Sequence, residues 1–175
     1  MTFAKVRALI FVGVLFVTAG VVVIMAITRD TQTKPRSLND CPTGLVPASI
    51  ALPERDQVKL NVYNGTRRIG LAQQIGAEFK NRGFDVKKME SAPGNKVVDE
   101  IAVINYGPAA VGAGWLMSAY FLVDEAKMNF DLRRKGDEVD VILGTRFQQL
   151  ATTTEVNQSI AALGPPLLPP GTCAA

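Results

Sequence analysis

Histidine is absent from the 175 residues, and cysteine occurs only twice. Histidine is the commonest general base and the commonest metal ligand of proteins, so its absence removes two frequent kinds of active site. Aromatic residues make up only 7% of the chain, and they are not interleaved with basic residues along any stripe. Because nucleic-acid-binding proteins commonly carry such a basic stripe, we expect no nucleic acid among the partners.

The net charge of +3 is unevenly distributed. From Glu54 to Arg146 acidic and basic residues nearly cancel, and the excess positive charge flanks an apolar stretch near the N-terminus. The flanking bases are Lys5, Arg7, Arg29, Lys34 and Arg36. This placement indicates residues next to a membrane and not a surface for nucleic acid.

The apolar stretch runs from Ala8 to Ile27 without a charge. About 20 helical residues cross a hydrocarbon core of about 30 Å, whereas a cleaved signal peptide has an apolar core of about 7–15 residues. The length therefore favours a transmembrane helix over a signal peptide. We expect residues 1–7 to be a cytoplasmic tail and the rest to be extracytoplasmic, with residues 28–56 as a Pro-bearing linker.

A second uncharged run, Ile101 to Val123, is long enough for another membrane span. Gly107-Pro108 divides it, and the two halves fit a buried strand and a helix. We favour strand and helix, and a second span is the alternative.

The most informative stretch runs from Val58 to Phe84. Apolar residues first alternate with polar ones up to Tyr63, which predicts a strand with one buried face. Asn64-Gly65-Thr66 then predicts a tight turn with Thr66 as N-cap of a helix. From Ile69 to Arg82 the apolar spacing becomes helical, and Gly83 ends the helix before a second strand.

The sequence V-x-N-G-T, followed by G-L-A and by a helix that closes on G-F-x-V, resembles the C-terminal domain of the LytR family of cell-wall proteins. The resemblance continues through Ile101–Tyr106 to the closing Asp140–Gly144 and covers Gln57 to Phe147. The arrangement is most similar to the stand-alone, membrane-anchored members of the family. The phosphotransferase domain that precedes this module in the LytR proteins has no counterpart in the sequence.

The predicted elements follow the order βαββαββ. This order implies an α+β fold, a two-layer sandwich in which a mixed sheet carries two helices on one face. The domain is predicted over residues 57–150, and residues 151–175 form a Pro-rich tail with a short helix at Thr152–Ala161.

The two cysteines, Cys41 and Cys173, flank the predicted domain. In an oxidising compartment such a pair suggests one disulfide that ties the tail back to the linker. The alternative is two unrelated thiols. A cysteine nucleophile is not expected, because the chain has no histidine to activate it.

Adjacent carboxylates are the remaining candidates for catalysis. They occur at Asp99-Glu100, Asp124-Glu125, Asp137-Glu138 and Asp140. Their positions at element ends are typical of solvated or capping residues. The sequence also lacks a phosphate-binding loop and zinc-ligand spacing, so we expect no enzyme, cofactor or metal.

The best candidate site is the turn Asn64, Gly65, Thr66, Arg67 and Arg68. A helix N-terminus and two arginines would suit a phosphate or carboxylate, such as an anionic cell-wall polymer or a lipid-linked precursor. An ordinary capped helix with solvated arginines is the alternative interpretation.

Two other groups of residues have open interpretations. Trp115, Tyr120, Phe121 and Phe130 fit a core, and a cavity for an acyl chain is the alternative. Arg133-Arg134-Lys135 fits a solvated turn or a contact with anionic polymer or lipid headgroups.

These features and the resemblance together predict a non-enzymatic, single-pass protein that contributes to cell-envelope integrity through protein–protein interactions. The resemblance implies LytR-type phosphotransferases or other envelope proteins as partners. The alternative function is a module that binds a cell-wall glycopolymer or a lipid-linked precursor.

Overall fold

The computed structural model describes residues 41–122 and 126–175, together with residues 13, 18 and 21. The predicted tail, the predicted transmembrane segment Ala8–Ile27 and the linker up to residue 40 lie outside the described residues, apart from those three positions, which are helical. No helix in the described part of the chain is long and apolar enough to span a membrane. The chain divides into two compact units, Met1–Arg36 and Ser37–Ala175, and the second contains the predicted domain.

The elements of the second unit follow one another along residues 41–122 and 126–175. The strands are β1 (Val46–Ala48), β2 (Lys59–Asn64), β3 (Asp85–Ser91), β4 (Ala102–Tyr106), β5 (Ala126–Phe130), β6 (Val139–Leu143) and β7 (Thr172–Ala174). The helices are α1 (Leu71–Asn81), α2 (Val111–Ser118) and α3 (Thr153–Leu163). From β2 to β6 the order is βαββαββ, so the predicted order is confirmed.

The central sheet is mixed and has the strand order β3–β2–β6–β4–β5. β4 runs antiparallel to β6, and the other neighbouring strands are parallel. The carboxyl ends of β2, β3 and β6 therefore meet at one edge of the sheet, and those of β4 and β5 meet at the opposite edge. We call the first the turn edge, after the turn of residues 64–68 that follows β2. We call the second the clasp edge, after the disulfide and the two short strands described below.

Apolar side chains on alternate positions of the strands point to one face of the sheet and form the core. Leu60, Val141 and Ile104, from three neighbouring strands, have no exposed surface. They share one cluster with Ile75 and Phe79 of α1 and with further buried residues of α2 and α3. The core thus lies between the sheet and its helices, as the α+β prediction requires.

The uncharged run after Ile101 divides as expected. Ala102–Tyr106 is strand β4, which lies between β6 and β5, Pro108–Ala110 makes one tight turn, and α2 follows from Val111. Tyr120 and Phe121 are buried, and Trp115 and Phe130 are half-buried. These aromatic residues belong to the core or its border.

The predicted disulfide between Cys41 and Cys173 is present, with the Cα atoms 5.8 Å apart. Beside it, the short strands β1 and β7 pair in parallel, from Val46 opposite Thr172 to Ala48 opposite Ala174. We call the disulfide and these two strands the clasp. The pairing was not predicted, because strands of three residues leave almost no periodicity to read.

The clasp packs on the start of α2. The amide of Ser49 donates to the carbonyl of Pro108 at 2.9 Å, and the amide of Gly112 donates to the carbonyl of Ser49 at 2.9 Å. A Cβ atom on Gly112 would lie 2.0 Å from the carbonyl oxygen of Ala51, so only glycine permits this approach. The two ends of the domain are therefore fastened to its second helix.

Candidate functional site

The turn of residues 64–68, hereafter the turn, follows β2 at the turn edge of the sheet. Its backbone is hydrogen-bonded to two other segments at that edge, the end of β6 and the loop before β4. The amide of Gly65 donates to the carbonyl of Leu143 at the end of β6, and the amide of Val98 donates to the carbonyl of Gly65. A Cβ atom on Gly65 would lie 2.9 Å from both Ile142 Cγ2 and the Leu143 oxygen. Gly65 is needed here for close packing, since its φ is not positive.

The side chains of Asn64 and Thr66 hold the turn in shape. Asn64 Oδ1 accepts from the amide of Thr66 at 2.9 Å and from its hydroxyl at 2.7 Å. Asn64 Nδ2 donates to the carbonyl of Arg68 at 2.6 Å, and Thr66 Oγ1 accepts from the amide of Arg68 at 2.9 Å. The turn is thus an Asx turn extended by a second side-chain bond, a local stabilisation of the kind that Asn and Thr provide.

The prediction that Thr66 caps the helix is wrong. Helix α1 begins at Leu71, and its N-cap is Gly70 in the left-handed conformation with φ 77°. No side chain of the described residues caps it by a hydrogen bond. Thr66 lies too far upstream, because the chain needs residues 67–70 to pass from the sheet edge to the start of the helix.

The prediction that Ile69 belongs to the buried face of the helix is also wrong. Ile69 precedes α1 and is fully exposed, whereas the buried face begins with Leu71 and Ala72. Single exposed apolar side chains are common on protein surfaces, so the exposure of Ile69 gains a meaning only together with its neighbours in the turn.

The two arginines of the turn have different roles. Arg68 Nη1 donates to the carbonyl of Phe147 at 3.2 Å and so ties the turn to the segment after β6. Arg67 is exposed and makes no hydrogen bond or ion pair with any described residue. The turn therefore presents the free guanidinium of Arg67, and beside it that of Arg68, which uses one of its five N–H donors in the bond to Phe147.

Two open grooves lie on either side of the turn. One is lined by Thr66, Arg67, Arg68, Val97 and Thr145. The other is lined by residues 64 and 66–70 of the turn and the helix entry, together with Gln73, Glu90 and Ser91. Arg67 borders both grooves. Val97 is about half exposed, so the lining of the first groove includes an exposed apolar side chain.

The model of the family described as LytR cell envelope-related transcriptional attenuator (LytR_C) matches residues 57–147. The chain belongs to this family. The match begins before β2 and ends at Phe147, so it contains the whole central sheet, helices α1 and α2, and the turn with its partner Phe147.

A solved structure supports the fold of this LytR_C domain. The soluble domain of a conserved hypothetical secreted protein, an Rv2700 ortholog from Mycobacterium marinum, aligns with a TM-score of 0.50 and 25% sequence identity. The alignment covers 65% of this chain and 72% of that chain. Among curated protein sequences no significant match is found.

The described carboxylates of the LytR_C domain that were considered for catalysis have partners. Asp137 pairs with Lys59 at 2.9 Å, which lowers the pKa of Asp137 and raises that of Lys59. Asp140 pairs with Arg134 at 2.8 Å, and this bond raises the pKa of Arg134. Such ion pairs are the usual structural use of surface carboxylates.

The carboxylates near the turn edge are bonded in the same way. Glu100 pairs with Arg146 at 2.7 Å, and Asp99 accepts a hydrogen bond from Thr145 at 2.8 Å. Asp124-Glu125 lies outside the described residues. Within residues 41–122 and 126–175 no three acidic or cysteine side chains come together as a metal-binding group.

A further cavity is bordered by Tyr120 together with residues that the sequence did not single out. It is lined by Arg55, Asn81, Arg82, Tyr120, Thr153 and Val156. Arg82 is structural here, because it donates to the carbonyl of Ala151 at 2.6 Å and pairs with Glu78. Burial raises the pKa of Tyr120, and the nearby guanidinium groups oppose that shift. Arg82 was not predicted, since its main partner is 69 residues away.

Proposed function

We propose that this LytR_C protein is a non-enzymatic, single-pass protein of the cell envelope whose turn binds a partner protein. It would contribute to envelope integrity, as in the stand-alone envelope-integrity protein Cei that the arrangement of the sequence resembles. The secreted nature of the Mycobacterium marinum protein supports an extracytoplasmic location for the domain. The apolar segment Ala8–Ile27 supports the membrane anchor, with residues 1–7 in the cytoplasm.

One observation carries the choice of the turn. Arg67 and Ile69 are both exposed, and a network of side-chain bonds holds the backbone between them and β2 in place. Arginine is enriched in protein interfaces, and an apolar side chain in a rigid setting loses little conformational entropy on binding. The turn is therefore suited to contact a protein with an acidic group beside an apolar pocket.

LytR-type phosphotransferases are the first class of partner to test. They come from the family resemblance, and they share the extracytoplasmic side of the membrane with the proposed location of the domain. Other envelope proteins with the same surface chemistry are equally compatible with the turn.

The uncapped N-terminus of α1 supports a second candidate function. The first amides of an α-helix have no partner within the helix, and here no side chain of the described residues satisfies them. Together with Arg67 they suit a phosphate or carboxylate group. The ligand would then be an anionic cell-wall glycopolymer or a lipid-linked precursor.

Two single variants separate these functions. Ile69→Ser removes the apolar side chain but keeps Arg67, and Arg67→Gln removes the charge but keeps Ile69. Neither side chain packs in the core, so the free energy of unfolding of both variants should differ from that of the parent by no more than about 0.5 kcal/mol. The full-length tagged protein is purified from cells in mild detergent, and the bound proteins are quantified.

For a protein partner, both variants should reduce co-purification strongly. For an anionic ligand, only Arg67→Gln should reduce binding to purified cell wall, and Ile69→Ser should bind like the parent. If neither variant changes either readout, the turn is not the binding surface.

A further inference from the structure

Four exposed or partly exposed leucines are carried by the segments that meet at the clasp. Their exposed fractions are 39% for Leu45, 41% for Leu132, 85% for Leu167 and 43% for Leu168. Single exposed leucines are common, but several on segments that are fastened together form a surface that needs an explanation.

The segments are joined around Gly171. The amide of Val46, next to Leu45, donates to the carbonyl of Gly171 at 3.0 Å. Leu132 Cδ2 lies 3.3 Å from the position that a Cβ atom of Gly171 would take. Leu167 and Leu168 precede Gly171 in the same Pro-rich segment, which a turn from Pro169 to Thr172 closes.

The backbone that carries Leu167 and Leu168 is already restricted. Pro165 and Pro166 precede the leucines, and Pro169 and Pro170 follow them. Because proline fixes φ, the backbone that carries these leucines loses little conformational entropy when the leucines become buried in a binding surface.

Positive charge lies beside Leu132. Arg133 and Lys135 are exposed and form no ion pair with any described residue, whereas Arg134 pairs with Asp140. The acidic group nearest in sequence is Asp131, whose carboxylate accepts from the backbone amide of Arg133. Asp137, on the other side of the loop, is paired with Lys59. The loop therefore presents two exposed bases outside ion pairs, Arg133 and Lys135, and its two acids outside ion pairs, Asp131 and Glu138, each accept a hydrogen bond from the protein.

The course of the chain indicates what this surface meets. Cys41 is bonded to Cys173, two residues after Gly171, so the chain enters the domain at the leucines. Only residues 28–40 separate Cys41 from the end of the apolar segment at Ile27. Fully extended, they reach at most about 45 Å. If the anchor of the proposed function is correct, the leucines stay within this distance of a bilayer.

We propose that the clasp edge of the domain docks on an anionic lipid surface. The leucines of the clasp enter the interfacial region, and Arg133 and Lys135 contact lipid phosphates. Exposed apolar side chains with adjacent bases are the combination that binds such interfaces. The turn lies at the opposite edge of the sheet, so this docking points Arg67 and Ile69 away from the membrane. This inference rests on the proposed anchor.

The test uses the full-length protein in lipid nanodiscs that contain phosphatidylglycerol and phosphatidylcholine. A photo-reactive p-benzoylphenylalanine replaces Leu167, and in a matched control it replaces Ile69, which is at least as exposed but lies at the turn edge. Lipid adducts are quantified by mass spectrometry. We expect the adduct yield from position 167 to exceed that from position 69 roughly tenfold.

Charge variants test the contribution of the bases. Arg133→Glu with Lys135→Glu should lower the yield at position 167 several-fold, and so should discs of phosphatidylcholine alone. Lys88→Glu with Lys96→Glu changes the net charge equally at other exposed positions and should leave the yield unchanged.

Each of the other outcomes contradicts one part of the proposal. Equal lipid adducts at both positions, or an adduct with a second protein copy at position 167, would contradict docking by the clasp edge. A yield that is indifferent to lipid charge and to Arg133 and Lys135 would contradict the anionic surface. Failure of the protein to enter the discs would contradict the anchor itself, and with it the reason for placing these leucines near a bilayer.

Discussion

The two edges of the sheet are stabilised by different means. At the turn edge, Asn64, Thr66 and Arg68 bond to one another within five residues, and Gly65 links them to β6. At the clasp edge, the disulfide and the β1–β7 pairing join residues more than 120 positions apart. Local bonds suit a small surface that keeps its shape while it is exposed, whereas long-range bonds hold the ends of the chain to the core.

The largest predicted effect concerns the clasp. The Cys41→Ser, Cys173→Ser double variant should lose about 2–5 kcal/mol of unfolding free energy, because the bond closes a loop with a sequence separation of 132. Chemical denaturation measures the loss. Hydrogen exchange should rise first in β1 and β7, while the amides of Gly65 and Val98 stay protected. Loss of protection at both edges together would show that the edges are not independent.

Matched glycine substitutions compare the two edges directly. Gly112→Ala puts a Cβ atom 2.0 Å from the Ala51 oxygen, and Gly65→Ala puts one 2.9 Å from Ile142 Cγ2 and the Leu143 oxygen. Overpacking of this kind costs about 1–3 kcal/mol, and we expect the larger loss at Gly112 because its contact is closer and is with backbone only. Thermal unfolding of the two variants measures the order. If Gly112→Ala were more stable than Gly65→Ala, the packing of the clasp on α2 would be contradicted.

Asn64→Ala should destabilise the domain by about 1–2 kcal/mol, because the backbone groups of Thr66 and Arg68 lose their shared partner. Asn157→Ala, at an exposed position of α3, is the control and should be neutral. Denaturant unfolding gives both values. If Asn64→Ala is as stable as the control, the side-chain network does not determine the shape of the turn.

The smallest predicted effect is a pH dependence at the N-terminus of α3, the helix that precedes the Pro-rich segment. The amide and hydroxyl of Thr152 donate to the Glu155 carboxylate, and these bonds lower the pKa of Glu155. The native state therefore keeps this carboxylate ionised to a lower pH than the unfolded state does. Its stabilisation is complete above the unfolded pKa of about 4.3 and is lost as the pH falls through the lowered native pKa.

Glu155→Gln tests this dependence. At pH 6 the melting temperature of the variant should be lower than that of the parent, and this difference in melting temperature should shrink as the pH falls toward 3. Glu90→Gln, at an exposed position of β3, should show no such convergence. A constant difference for Glu155→Gln across this range would exclude the ionised cap.

The sequence predicts the elements that carry their own periodicity. β2, α1 and β3 were recognised because apolar spacing changes from two to helical and back, with Gly83 in the left-handed conformation at the end of the helix. The start of α1 was misplaced because Ile69 continues the helical spacing of Ala72 and Ile75, and spacing alone does not reveal that Gly70 interrupts the backbone.

The missed features depend on residues far apart in the chain. The roles of Arg67 and Arg68 differ only because Phe147, 79 residues from Arg68, offers it a carbonyl. The disulfide was predictable from the number of cysteines and the expected compartment. The β1–β7 pairing beside it was not, since neither strand is long enough to show a pattern.

The most direct test of the binding role of the turn is photo-crosslinking from position 67 in intact cells. A probe at position 157, exposed on α3, is the control. We predict a discrete protein adduct from position 67 and none from position 157. A carbohydrate or lipid adduct at position 67 would favour the second candidate function, and the absence of any specific adduct would contradict a binding role for the turn.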